Sequence, residues 1–421
     1  MKKIKWIKRL AALGCAAALL AGLTACGTAE EETDSSAAEA ETEAAAEDEE
    51  DEDSGDSEDS SSSADISEII EQVEAVTDTV DFFAEDFGSV DAQAALEGKN
   101  VLIVAYDSTN DWCVNYALMA EPLYELLGAE ADITYCDGTA DSWIQAIENA
   151  INQGYDAIDL YGIADLGQLE NVIQEATDAG IYVQDAMGCD LSDVGTYNTS
   201  ISVGCDYRRA GELMAMQVIY EAGSPEDVNC LVVADVGYGS DDDVREGITS
   251  VFDEYGCDYT IAEVSITDWT EGIGEAVRNA FIADSSYTSM ISFYDNMLIY
   301  AVSALEELAI DLDTVYIGSF DGSPSMVEYI AEGKIDFDIG ESTGWIACHD
   351  VDCMARYFAG QEVYNDSGYA MYFITSDNVE NYLDPETGDA SYAYDGVQDV
   401  YLEGYSELWG VDLTGVFDDI E

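Results

Sequence analysis

From Asn100 onward, short β-rich apolar runs alternate with stretches of helical period, and this alternation restricts the fold more than any other feature of the chain. Strands are expected at 100–106, 131–135, 157–161 and 181–184, with helices at 116–127, 143–151 and 169–179 between them. The alternation resumes with strands at 197–203, 230–234, 259–264, 290–293, 315–320 and 337–340. Helices at 210–220, 244–255, 273–282, 297–308 and 326–332 separate those. Parallel strands need long crossovers, helices supply them, and the sheet is then covered on both faces. The expected class is therefore α/β, with two similar doubly wound parallel-sheet lobes. Ligands of such sheets bind beyond the carboxyl ends of the strands, so the residues that follow each strand carry the functional question.

The chain opens on a basic Met1-Lys2-Lys3-Ile4-Lys5, continues through an apolar stretch at 10–23, and reaches Leu23-Thr24-Ala25-Cys26. That stretch is too short to span a bilayer comfortably, and small residues precede the cysteine, so 1–25 is expected to be an export signal. The motif resembles that of bacterial lipoproteins, which implies that Cys26 becomes the first residue and carries a diacylglyceryl anchor. Residues 26–64 are then the lipidated cysteine and an acidic stalk of Glu, Asp, Ser and Ala, too poor in apolar groups to offset ordering entropy. A flexible coil of that length spans roughly 35 Å. Ile66, Ile69, Ile70, Val73 and Val76 have helical spacing, so 65–97 is expected to be an N-terminal helical extension.

Five of the twelve basic residues leave with the signal, so seven face 91 acidic ones, a net charge of −84. Such a surface excludes nucleic acid as a partner and leaves the lipid as the only contact with an anionic membrane. Beyond Cys26 eight cysteines remain, an even number compatible with disulfides but without a Cys-x-x-Cys. Cys348, His349 and Cys353 make at most a weak metal suggestion, and no metal or other cofactor is expected.

The strand ends gather aromatic and planar polar residues. Asn110, Asp111, Trp112 and Cys113 follow the first strand, Asp185 the fourth, and a glycine-rich loop leads to Arg245. Trp269, then Tyr294-Asp295-Asn296, then Asp321-Gly322 and finally Glu341 stand after later strands. A sugar ring needs this mixture, because its C–H faces pack on aromatic surfaces while its vicinal hydroxyls pair with carboxylate, amide and guanidinium forks. Each residue also has a plainer role open to it: a turn or helix cap for Asn110, Asp185 and Asp321, a core roof for Trp112 or Trp269, a helix-side ion pair for Arg245.

With these residues in order, the chain from about 100 to 375 resembles the type I periplasmic-binding-protein family, specifically the ribose/galactose-type sugar receptors of ABC transporters. The markers are Asn110-Asp111-Trp112, the run Ala179 to Asp185, Val203-Gly204-Cys205-Asp206 with Ala210-Gly211, Arg245-Glu246-Gly247, Tyr294-Asp295-Asn296-Met297, the run Ile317 to Gly322, and Glu332-Gly333-Lys334-Ile335. The resemblance implies that Asn110, Trp112 and Trp269 cradle a ring while Asp185, Arg245 and Asp321 bind hydroxyls. Tyr294 stands where these receptors commonly have Asn, Glu341 where they have Gln, and Cys113 where a second aromatic is frequent. The resemblance also implies a three-strand hinge, with crossings near Cys205, Ser342 and Phe373. The lobes are then 98–204 plus 342–373, and 205–341 plus 374–421 with a C-terminal extension.

The implied function is an extracytoplasmic, lipid-anchored receptor, acting as a monomer, that binds a monosaccharide or similar small polyol for an ABC permease and its ATPase. A nucleoside, a signalling furanose or an amino sugar remains open as the ligand, since Asp185, Asp321 and Glu341 outnumber Arg245. A sensory lipoprotein signalling to a membrane kinase is the alternative class. An enzyme is not expected: the nucleophile, zincin and phosphate-loop motifs are missing, and only a Cys113–His349 pair could be imagined as nucleophile and base. The run Asp384-Pro385-Glu386-Thr387-Gly388-Asp389 is read as a plain turn rather than a Ca²⁺ loop.

Overall fold

The computed structural model describes residues 65–76, 82, 88–193, 195–365, 370–392, 394–418 and 420. The expected signal, Cys26 and the acidic stalk lie outside the described residues.

The first sheet has the order β2-β1-β3-β4-β5 and is parallel throughout. Its strands are β1 (Asn100–Ala105), β2 (Glu130–Tyr135), β3 (Ala157–Tyr161), β4 (Tyr182–Asp190) and β5 (Ile201–Cys205). β1 and β3 are buried along nearly their whole length, as strands covered on both faces must be, whereas β2 is an edge strand and half exposed. The crossovers are α3 (Asp111–Leu126), α4 (Ala140–Gln153) and α5 (Glu170–Asp178). Local chemistry fixes their ends: the Asn110 side chain caps α3 by accepting from the Cys113 amide, and Thr139 caps α4 in the same way.

The second sheet repeats the plan with the order β11-β10-β9-β8-β6-β7, parallel except for β11. It comprises β6 (Asn229–Val236), β7 (Asp258–Ser265), β8 (Ser289–Ser292), β9 (Tyr316–Asp321), β10 (Phe337–Gly340) and β11 (Tyr372–Thr375). Its helices are α6 (Tyr207–Ala222), α7 (Asp241–Tyr255), α8 (Gly274–Ala283), α9 (Asp295–Glu307) and α10 (Pro324–Glu332). α6 and α7 touch backbone to backbone: a Cβ on Gly211 would collide with the Val244 carbonyl, and one on Gly247 with the Arg208 carbonyl. The glycines of two sequence markers are therefore packing residues. In both sheets strand order reverses beside the first strand of the lobe, between β1 and β3 and between β6 and β8. A crevice opens at such switch points.

Three segments pass between the lobes. The first runs from β5 into α6, and the second from β10 through Glu341 and Ser342 into α11 (Thr343–Ala359), which packs on α3. The third returns from α11 to β11. Tyr372 and Phe373 pair with Gly340 and Ile339, so both residues belong to the second sheet.

The two extensions add further bridges. α1 (Ser67–Ala75) buries Ile69 and Val73 and packs on α6 of the second lobe, where Arg209 donates to Gln72 at 3.0 Å. α2 (Ala92–Leu96) packs instead on α11 of the first. At the other end, the turn Val379–Tyr382 packs on α10, but α12 (Gln398–Trp409) lies on α11, with Trp409 Nε1 donating to Asp352 at 2.8 Å. The C-terminal extension was expected to stay with the second lobe; it spans both, because the apolar side of α12 fills a surface of α11 that the lobe core leaves uncovered. Between these anchors Asp395 accepts from the hydroxyls of Ser342 and Tyr401, and its carbonyl accepts from Tyr372 at 3.3 Å. One residue thus ties two hinge crossings together.

All eight cysteines among the described residues are buried thiols, none in a disulfide. Residues 384–389 form a turn in which the Asp384 carboxylate accepts from the amides of Glu386 and Thr387 at 2.6 and 3.1 Å.

Candidate functional site

The strand ends of both sheets converge on a narrow cavity of about 30 Å³ between the lobes. The first lobe contributes Asn110, Trp112 and Cys113 from the start of α3. The second contributes Trp269, Tyr294 and Asn296, with Asp321 at the end of β9 and Tyr238 from the loop after β6. Tyr207 enters from the first hinge crossing. A larger open hollow of about 940 Å³ lies on the C-terminal extension among Asp384, Asp399, Glu403 and Asp412, away from the strand ends. The smaller cavity is the candidate because both sheets aim their strand termini at it.

Five of the expected residues, Asn110, Trp112, Trp269, Tyr294 and Asp321, thus share one cavity wall. Asp185, Arg245 and Glu341 are outside the lining. Asp185 was expected just beyond its strand, but β4 continues through a register shift to Asp190, leaving Asp185 fully buried within the strand opposite Leu160 and Ser202. Arg245 sits on α7 with Nη1 paired to Glu263 at 3.0 Å, Nη2 near the Asp235 carbonyl at 3.5 Å, and its guanidinium over the Phe293 ring. Glu341 is buried at the second crossing, where its carboxylate meets the Cys205 thiol of the first crossing at 3.9 Å.

Tyr207, Tyr238 and Asn296 were not among the candidates. Asn296 was visible within the marker Tyr294-Asp295-Asn296. Tyr238 had a signal too, as the aromatic of a glycine-rich loop after a strand.

The second lobe's wall is built with care. Trp269 Nε1 donates to Asp235 Oδ1 at 2.8 Å, and the Tyr294 hydroxyl lies 2.8 Å from Ser240 Oγ and 3.3 Å from Asp241 Oδ1. Asp241 also accepts from the Gly237 and Tyr238 amides at 2.8 and 2.6 Å, shaping the loop that carries Tyr238. Burial, with Asp241 adding, pushes the Asp235 carboxyl up to about 8.

Asp321 has a backbone φ of +144°, a strained value for a residue with a Cβ. Hydrogen bonds hold it there: its Oδ2 accepts from the Asp295 amide at 3.2 Å, Asp338 accepts from Gly322 N at 2.9 Å, and Asp295 from Ser323 N at 2.7 Å. Burial, then Asp295 and Glu341, raise the Asp321 carboxyl well above the usual range.

The lobes meet across the cleft opposite the hinge. The Tyr238 hydroxyl donates to the Gly162 carbonyl, and Gly239 N to the Ala164 carbonyl at 2.8 Å. Residues 162 and 164 follow β3, so the contact joins the two switch points.

The Cys113 thiol is pushed up by burial, with Asp321 and Asp107 adding, and so stays protonated. His349 sits in α11 near Tyr405, the Tyr364 carbonyl and Cys353, at 3.3, 3.3 and 3.5 Å. The imagined Cys113–His349 pair is not assembled.

Comparison with known proteins agrees with the topology. The profile of the periplasmic binding protein domain matches residues 101–362. This chain is a type I periplasmic binding protein. The binding protein is similar in fold to a galactofuranose binding protein, at 19% identity over 67% of this chain and 96% of that one, with a TM-score of 0.60. It is similar to an ABC transporter solute binding protein from Actinobacillus succinogenes with bound D-allose, at 20% identity over 68% and 100%, TM-score 0.60. A Caulobacter myo-inositol binding protein gives 17% identity over 66% and 94%, TM-score 0.59. No curated protein matches the sequence. The N-terminal helix α1 and the C-terminal helix α12 lie outside the matched domain.

Proposed function

We propose that this binding protein is a lipid-anchored receptor on the outer side of the cell membrane. It captures a monosaccharide or similar small polyol between its lobes and presents it, chemically unchanged, to an ABC importer. The observation that carries this reading is the two-sided aromatic wall: Trp112 beside Asn110 on one lobe, Trp269 and Tyr294 beside Asn296 and Asp321 on the other. Flat apolar faces with polar groups at their rims match a ring whose own faces are apolar and whose edge is hydroxylated. The ligands of the structural neighbours, galactofuranose, D-allose and myo-inositol, share that character. A molecule touching both walls stabilises the closed state by the contacts it loses on opening.

Thermal-shift screening followed by titration calorimetry tests this reading. D-allose, D-galactose, L-arabinose, myo-inositol and their amino-substituted analogues form the panel. A bound member raises the melting temperature, and the shift grows with the logarithm of its concentration over Kd. A panel with no member that shifts the transition, even at millimolar concentration, rejects the receptor reading.

A further inference from the structure

The seven basic residues beyond the N-terminal segment are all engaged by carboxylates elsewhere. Lys99 pairs with Asp156, Arg208 with Glu246, Arg209 with Glu212, Arg245 with Glu263, Arg278 with Glu307, Lys334 with Glu332 and Arg356 with Asp352. Among the described residues none of them lines the cavity, where Asp321 is the one carboxyl. Behind Asp321 stand two more buried acids, Asp295 and Asp338, which bond to the Ser319 hydroxyl and the Gly322 amide. The strained backbone at Asp321 is held by that network, so the carboxyl is kept at the cavity wall against a local energetic preference.

The rest of the wall favours positive charge. The rings of Trp112, Trp269, Tyr238 and Tyr294 line one cavity, with Tyr238 and Tyr294 ring centres 6.0 Å apart and Trp269 and Tyr294 6.4 Å apart. The faces of such rings attract an ammonium group, most strongly when it is desolvated. One polar group asks for something else. Trp112 is 8% exposed and its Nε1–H has no hydrogen-bond partner, so a buried donor in the wall calls for an acceptor oxygen on the ligand.

We infer that the ligand of this cleft is a hydroxylated organic cation, an amino sugar or aminopolyol, whose ammonium pairs with Asp321 among the aromatic faces while a hydroxyl oxygen accepts from Trp112. The inference rests on the receptor reading and narrows its ligand class. Burial, then Asp295 and Glu341, raise the Asp321 carboxyl and so disfavour its charge without a counter-ion. An arriving ammonium supplies the counter-charge that the chain lacks, and the pair becomes a charge-assisted hydrogen bond shielded from water.

Matched pairs decide it by titration calorimetry on the full chain at pH 7: D-galactosamine against D-galactose, D-glucosamine against D-glucose, and 1-deoxynojirimycin against 1,5-anhydroglucitol. The expected result is at least one amine bound tenfold or more tighter than its neutral partner. Asp321→Asn, with an unchanged circular dichroism spectrum, is expected to bring the two within about twofold, and Trp112→Phe to weaken both members alike. Neutral partners bound as tightly as their amines overturn the inference and leave the receptor reading standing. Binding of neither class overturns both.

Discussion

The indole N–H of Trp269 donates to the Asp235 carboxylate at 2.8 Å, and this bond orients the largest aromatic surface of the second lobe. Asp235 is fully buried at the end of β6, so the acceptor is fixed by the sheet rather than by a loop. Asp235→Ala leaves the indole N–H unpaired and the ring free to turn, a cost of about 1–3 kcal/mol. Ligand affinity is expected to fall about tenfold or more while Asp235→Asn, which keeps an acceptor oxygen, stays within a few-fold of wild type. Calorimetry with the tightest ligand of the panel, beside Trp fluorescence, measures both.

Tyr238 closes the cleft through its bond to the Gly162 carbonyl. Tyr238→Phe retains the ring against Tyr106, 5.7 Å away, and removes only the hydroxyl. The closed state loses about 1 kcal/mol, so ligand dissociation is expected to quicken several-fold with little change in association. Stopped-flow fluorescence separates the two rates.

Stability is expected to decline as pH rises from mildly acidic to alkaline. The Asp159, Asp295, Asp338 and Asp350 carboxyls are raised by burial first, and Asp350 also by the neighbouring Asp159. A carboxyl whose folded pKa is raised binds its proton more tightly in the folded state. Its contribution is complete below the unfolded value near 3.8 and is lost as pH climbs through the folded one, which for Asp235 is about 8. Exposed Asp137, Asp284 and Asp412 are lowered by hydrogen bonds and act in the opposite sense, losing their contribution only below about 3.8. Melting temperature should therefore peak in mild acid, and Asp350→Asn should flatten its fall toward pH 8. An unchanged slope in that variant counts against the buried pair as its source.

Asp395 links Ser342, Tyr401 and Tyr372 at the hinge. Asp395→Ala frees two hydroxyls, those of Ser342 and Tyr401, while Tyr372 keeps its backbone acceptor, and is expected to cost about 1–3 kcal/mol. Hydrogen exchange should quicken at the start of α11 and in α12, where the carboxylate anchors the chain, and remain unchanged in β1 and β3.

Cys26 is proposed to carry the anchor. Cys26→Ser in the producing cell is expected to shift the protein from the membrane fraction to the medium, with ligand binding intact. Retention of the variant at the membrane would remove the lipid from the account.

The strand and helix order was readable because a doubly wound sheet requires continuous apolar strands and helical crossovers, and both leave a period in the sequence. A place in the cavity lining was readable where a residue stands at a strand end and also caps the next helix, as Asn110 does. It failed for Asp185 because β4 runs on past Gln184 through a shift in register, and nothing in the local sequence marks where pairing with β5 stops. It failed for Arg245 because Glu263, on the neighbouring strand β7, takes the guanidinium.

The sequence alone determined two α/β lobes, a cleft at their strand ends and an acidic chain with few cations to spare, since periodicity and charge are properties of composition and order. Only the tertiary structure decided which polar groups face the cavity, which carboxylates lie buried behind it, and that both extensions cross between the lobes. Those outcomes depend on side-chain direction and on contacts between segments hundreds of residues apart, such as Tyr116 with Asp350, and no local stretch of sequence encodes them.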